Sequence, residues 1–207
     1  IDSLGRINLA YHDATHTSLK YAGWLQPPTT FIIEVVATGD VGDYNALALK
    51  PDGDLAVSYY DAASGDLRYA NRDDTGWLLE AVEITGDVGH YTTLAIDADG
   101  IRHLAYRDES QSALKYASTR APSHEFLVEV IAPGNVGDYS SADLKPSGEL
   151  AVSFYDIEAG DLRYALQDGD TWLLETVDSE GMVGLYTALT IDSLGRINLA
   201  YHDATHT

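Results

Sequence analysis

The chain has 207 residues, 33 acidic against 12 basic, a formal charge of −21, 45% hydrophobic residues and no cysteine. That balance argues against nucleic acid and anionic membrane as partners, since both attract clustered lysine and arginine. Disulfides and thiolate sites are excluded, disorder is disfavoured by the apolar content, and no apolar run approaches the roughly 18–20 residues of a membrane span.

Five anchors recur along the chain: Ile1-Asp2-Ser3-Leu4-Gly5, Leu49-Lys50-Pro51-Asp52-Gly53, Ile96-Asp97-Ala98-Asp99-Gly100, Leu144-Lys145-Pro146-Ser147-Gly148 and Ile191-Asp192-Ser193-Leu194-Gly195. Their steps alternate between 48 and 47 residues, which defines repeats 1–48, 49–95, 96–143 and 144–190 and a partial repeat 191–207. A fixed period of this size marks stacked supersecondary units. The second repeat shows the content of each unit. Leu55–Tyr60 is the first strand-sized run after its anchor, followed by Leu67–Ala70, Trp77–Ile84 and Tyr91–Ile96, with turns at Asp61–Asp66, Asn71–Gly76 and Thr85–Gly89. β-Branched and aromatic runs with Gly, Asp and Asn punctuation predict strands joined by hairpins, and no segment has a sustained helical period.

The expected fold is therefore all-β: a β-propeller of four-stranded antiparallel blades of about 47 residues, roughly four per chain, in a single domain over 1–207. A right-handed β-helix is the alternative. The second and fourth repeats share LKP-x-G, LAVS, GDLRYA and WLLE, whereas the first and third share ID-x-x-G, LAY, LKYA and longer inserts at Pro27-Pro28 and Ala121-Pro122. A two-blade unit of 95 residues (96−1) has been copied. Residues 191–207 repeat residues 1–17 letter for letter. The doubled end predicts a spare strand, and with it homo-oligomers formed by exchange of terminal strands.

The turn Gly-x-Val-Gly recurs between blades at Gly39–Gly42, Gly86–Gly89, Gly134–Gly137 and Gly181–Gly184, each followed by one variable residue and a tyrosine. Such paired glycines imply positive φ or a close approach to a neighbour. The candidate ligand-binding residues are Asp43, Tyr44, His90, Tyr91, Asp138, Tyr139 and Tyr186 on these turns, and the strand-end acids Asp61, Asp108 and Asp156. Tyrosine rings with Asp and His offer stacking and hydrogen bonds to a saccharide or small polar ligand. A tyrosine in every blade is expected to pack, and an Asp opening a turn caps its own backbone. The variable positions Asp43, His90, Asp138 and Leu185 are the better functional choice. Lys20, Arg68, Lys115 and Arg163 occupy matched positions as partners for the acids. His12 and His16 straddle a strand end, which disfavours zinc; His103 and His124 read as surface or packing residues. No metal site, cofactor or catalytic residue is expected.

The phrase D-x-x-G-x-x-[LH]-x-[AV]-x-[YF]-x-D followed by L-[KR]-Y-A resembles the repeats of bacterial sialidase-like, Asp-box (BNR-type) propellers. The hairpin Asp168-Gly169-Asp170-Thr171-Trp172 keeps the Gly, Thr and Trp of their hallmark, with Gln167 where an Asp belongs. The resemblance implies a propeller fold and, as in many secreted bacterial repeat propellers, an extracellular location. Family sialidases need an Arg-Ile-Pro segment, and Arg6-Ile7-Asn8 and Arg196-Ile197-Asn198 lack its Pro. The expectation is thus a non-enzymatic carbohydrate-binding or scaffold module. A sialidase-like hydrolase and a purely structural, engineered or excised repeat are the alternatives.

Overall fold

The computed structural model describes residues 1–2, 4–25, 30–119 and 125–206. The Pro27-Pro28 and Ala121-Pro122 inserts and His124 lie outside them. Seventeen strands form five antiparallel sheets, with no helix among the described residues. The first sheet holds β1 (Asn8–Asp13), β2 (Ser18–Leu25) and β3 (Thr30–Thr38). A four-stranded sheet follows with β4 (Val41–Leu49), β5 (Leu55–Asp61), β6 (Asp66–Asp73) and β7 (Gly76–Glu83). The third sheet contains β8 (Val88–Ile96), β9 (Arg102–Asp108), β10 (Ala113–Thr119) and β11 (Phe126–Ala132). The fourth contains β12 (Val136–Leu144), β13 (Leu150–Asp156), β14 (Asp161–Asp168) and β15 (Thr171–Asp178). The last pairs β16 (Val183–Ile191) with β17 (Ile197–Asp203). Strand order within every sheet is sequence order, so each connection inside a sheet is a hairpin.

The burial of each strand follows its apolar pattern. β5 and β13, LAVSYY and LAVSFY, are apolar or aromatic except at Ser58 and Ser153, and are buried on both faces. Of the fourth strands, β15 is largely exposed, β11 is exposed over Leu127–Val130, and β7 is half-buried with no fully buried residue. Between the sheets Tyr69, Tyr106 and Phe154 are fully buried, each contributing about 1.5–3 kcal/mol. β4, β8, β12 and β16 stand side by side in succession. β1 of the first sheet and the second strand of each following four-stranded sheet pack on the first strand of the next sheet: β1 on β4, β5 on β8, β9 on β12 and β13 on β16.

Strand boundaries differ from the sequence reading at the glycine turns. The bend covers only 85–87, and β8 begins at Val88. Pairing runs on through the glycine as an irregular register, Val88↔Asp108, His90↔Arg107 and Thr93↔Ala105, because a bulge bends a strand without ending it. Gly89 carries both burdens expected of it. Its φ is +106°, and a Cβ there would sit 3.0 Å from the Leu67 Cα of the preceding sheet.

Candidate functional site

The bulges aim the four repeat tyrosines at one another. Tyr44, Tyr91, Tyr139 and Tyr186 all have positive φ, between 49° and 54°. Bulky residues rarely adopt this conformation, which tends to occur where a backbone is held for a purpose. Their rings form a ladder with centroid spacings of 4.6, 5.0 and 4.4 Å and planes inclined by 48°, 56° and 50°. Burial raises the pKa of Tyr91 and Tyr139, so both stay neutral donors. The rungs spend their faces on each other. Only the ends are open, with Tyr44 39% and Tyr186 68% exposed.

Three of the residues before a rung, Asp43, His90 and Asp138, meet the ends of β1, β5 and β9 of the preceding sheets. Asp43 Oδ1 lies 2.7 Å from His12 Nδ1. His90 packs at 4.4 Å from the Tyr60 ring and 5.0 Å from Tyr44, with its Nε2 3.0 Å from Asp87 Oδ1. Asp138 faces Arg107 Nε at 3.3 Å, and burial raises its carboxyl above the usual range. The variation that singled these positions out in the sequence is thus matched residue for residue across sheet junctions. The strand-end acids are held by their own turns and by the third-strand cations. Asp61 accepts from the Ala63 N–H at 3.2 Å and lies 3.6 Å from Arg68. Asp108, fully buried, accepts from the Gln111 N–H at 2.9 Å and from Lys115 at 3.3 Å. Asp156 accepts from the Ala159 N–H at 3.0 Å and from Arg163 at 3.3 Å. The rim residues are gathered together, whereas the three acids are withdrawn into local turns.

Sequence reasoning missed two clefts between sheets. The first, of about 200 Å³, opens between the first and second sheets. Tyr21 lines it, backed by the Trp77 ring at 5.7 Å between centroids, and donates to Asn8 Oδ1 at 2.7 Å. Glu34 accepts from Arg72 at 2.8 and 3.2 Å and from the Trp77 Nε1–H at 3.0 Å. The Arg72 guanidinium holds the Glu34 carboxyl below the usual range. The second cleft, of about 480 Å³, opens between the third and fourth sheets. Here Tyr116 meets Trp172 at 5.2 Å, and the Trp172 Nε1–H donates to Glu129 at 2.9 Å. Tyr21 and Tyr116, Glu34 and Glu129, Trp77 and Trp172 are each separated by 95 residues. The copied unit has copied the cleft. Arg72 is replaced by Gln167 and Asn8 by His103. The junction between the second and third sheets is filled instead: the Arg102 guanidinium lies 4.6 Å from the Tyr69 ring centroid and 5.3 Å from that of Phe126, and pairs with Glu80. At the position 95 residues earlier stands Ile7.

His103 gives the second cleft a pH dependence. Its Nδ1 is 2.6 Å from the Tyr116 hydroxyl and its Nε2 is 3.4 Å from Asp97. Burial lowers its pKa below 6.5 despite Asp97, so the folded state holds a neutral imidazole. The unfolded chain therefore binds the proton more readily, and this contribution is full above the unfolded value of about 6.5 and is lost as pH falls below it. Urea unfolding at pH 7.5 and pH 5 should show a smaller acid loss in His103→Asn than in the parent. An equal loss in both would remove His103 from the account.

No protein-family model matches the chain, and no curated protein matches it in sequence. Solved structures do match. A Dyadobacter fermentans protein of unknown function superposes with a TM-score of 0.70 at 12% identity, over 97% of this chain and 72% of that one. The Aleuria aurantia lectin in complex with Fucα1-6GlcNAc superposes with a TM-score of 0.66 at 11% identity, over 97% and 69%. The Hadza microbial sialidase Hz136 gives 0.65 at 11% identity, over 97% and 51%. At such identities the likeness is one of fold alone, shared with lectins and sialidases, and no match supports the Asp-box motif.

Proposed function

We propose that the chain is a non-enzymatic saccharide-binding module, built as a β-propeller whose blades are the sheets described above. The observation that carries this reading is the pair of clefts 95 residues apart, each lined by a tyrosine that is backed by a tryptophan, and by a carboxylate fixed by that tryptophan's N–H. An aromatic wall beside fixed hydrogen-bonding groups suits the apolar face and hydroxyls of a sugar. The likeness to a lectin that holds a fucosylated disaccharide supports the reading. So does the electrostatics of the first cleft. Glycoside hydrolysis needs one carboxylic acid kept protonated, and both Glu34 and Asp2 are held below the usual range. The rim tyrosines, with Asp43, His90 and Asp138, then serve chiefly to join blades.

Glycan-array screening identifies the sugar, and calorimetry with it measures stoichiometry. Two sites per chain are expected. Glu34→Gln, which keeps the shape and removes the charge, should leave one site or weaken one by about tenfold, roughly 1.4 kcal/mol. Glu34→Gln with Glu129→Gln should abolish binding. A single site unaffected by either change, or turnover of any sialoside or other glycoside, would overturn the proposal.

A further inference from the structure

We propose that a second copy of this chain docks head to tail, its β1 taking the place of β17 on the edge of β16. β17 repeats the β1 sequence, so the structure already displays how β16 pairs with it: Val183↔Asp203, Ala188↔Ala200 and Ile191↔Ile197. The same register with a second copy sets Val183 opposite Asp13, Ala188 opposite Ala10 and Ile191 opposite Ile7. β1 is ready for this. It pairs with β2 on one side, has no pairing on the other among the described residues, and packs on β4 as β5 packs on β8. That free edge lies where the other sheets have their first strand.

Local pairing energies are equal for the two identical strands, so the rest of the sheet decides the exchange. β17 ends a two-stranded sheet, whereas an incoming β1 carries β2 and β3 and completes a four-stranded one. The side chains left open at the two ends also match. Tyr186, 68% exposed, would stack on Tyr44 of the second copy and continue the ladder. The Tyr164 hydroxyl is buried without a hydrogen-bond partner. Its counterpart 95 residues earlier, Tyr69, packs against Phe126 at 6.0 Å, and the residue 95 before Phe126 is Phe31, 46% exposed. Phe31 of the second copy would cover Tyr164. Like charges oppose the union, so it strengthens as salt screens the −21 carried by each copy.

The test uses the full chain. Light scattering over a range of concentration should give twice the mass of one chain or a higher multiple, favoured by added salt. Because the chain has no cysteine, Ala10→Cys combined with Ala188→Cys reports the register directly. A disulfide between chains on mild oxidation is expected. The mass of one chain throughout, with either no disulfide or a disulfide closed within the chain, would overturn the proposal, the latter by showing that β16 takes its own β1. Neither outcome depends on whether a sugar binds.

Discussion

Lys115→Met is expected to destabilise the fold by about 3–5 kcal/mol, the usual consequence of leaving buried charges without their partner. Lys115 on β10 is 5% exposed and pairs with Asp108 at 3.3 Å and with Glu83 of the preceding sheet. Asp108 is fully buried, and Glu83 also accepts from the Tyr106 hydroxyl at 2.5 Å. Removing the ammonium strands two carboxylates at a junction between sheets. Adding Asp108→Asn and Glu83→Gln should recover most of the loss, because the burden is uncompensated charge rather than lost packing. Urea midpoints of the single and triple variants at neutral pH check this, and equal midpoints would mean that the ammonium contributes by packing alone.

Gly89→Ala is expected to cost about 3 kcal/mol, combining a penalty for positive φ with one for overpacking. The obstructing atoms are the Cα and Cβ of Leu67, each 3.0 Å from the new methyl group, and backbone on an adjoining sheet has no rotamer in which to retreat. Gly53→Ala supplies the contrast: φ there is +89° with nothing within 4 Å of the added carbon. It should cost only the conformational part, about 1 kcal/mol. Thermal unfolding of both variants separates close approach from backbone strain, and equal losses would assign the glycine requirement to φ alone.

The sequence made the sheets legible because their signals are local: apolar runs such as LAVSYY, punctuated by Gly and Asp, recur at a fixed period. It also placed the rim residues together, since one turn recurs at each junction. The clefts were hidden for the opposite reason. Glu34 and Trp77, 43 residues apart, meet only when two sheets adjoin. A faint signal existed in the aromatic-x-x-Glu pattern of Phe31–Glu34, Trp77–Glu80, Phe126–Glu129 and Trp172–Glu175. Positive φ at the tyrosines left no such mark, because nothing in Gly-x-Tyr distinguishes a bulge from a turn. The strand-end acids were recognisable as turn caps, and the third-strand cations as partners for acids, but the burial of Asp108 and Asp156 was not.

The alternation of junctions bears on how such a chain can change length over generations. The first and third junctions set a side-chain nitrogen against an acid, His12 with Asp43 and Arg107 with Asp138, while the second mates Tyr60 with His90. Loss of a single 47-residue unit would bring the first sheet against the third, setting His12 before His90 and the Tyr21 side before Arg102 and Phe126. Loss or gain of 95 residues preserves every match. A gene of this kind therefore grows and shrinks in double steps, and odd-numbered products of unequal recombination are weeded out by their own mismatched seams.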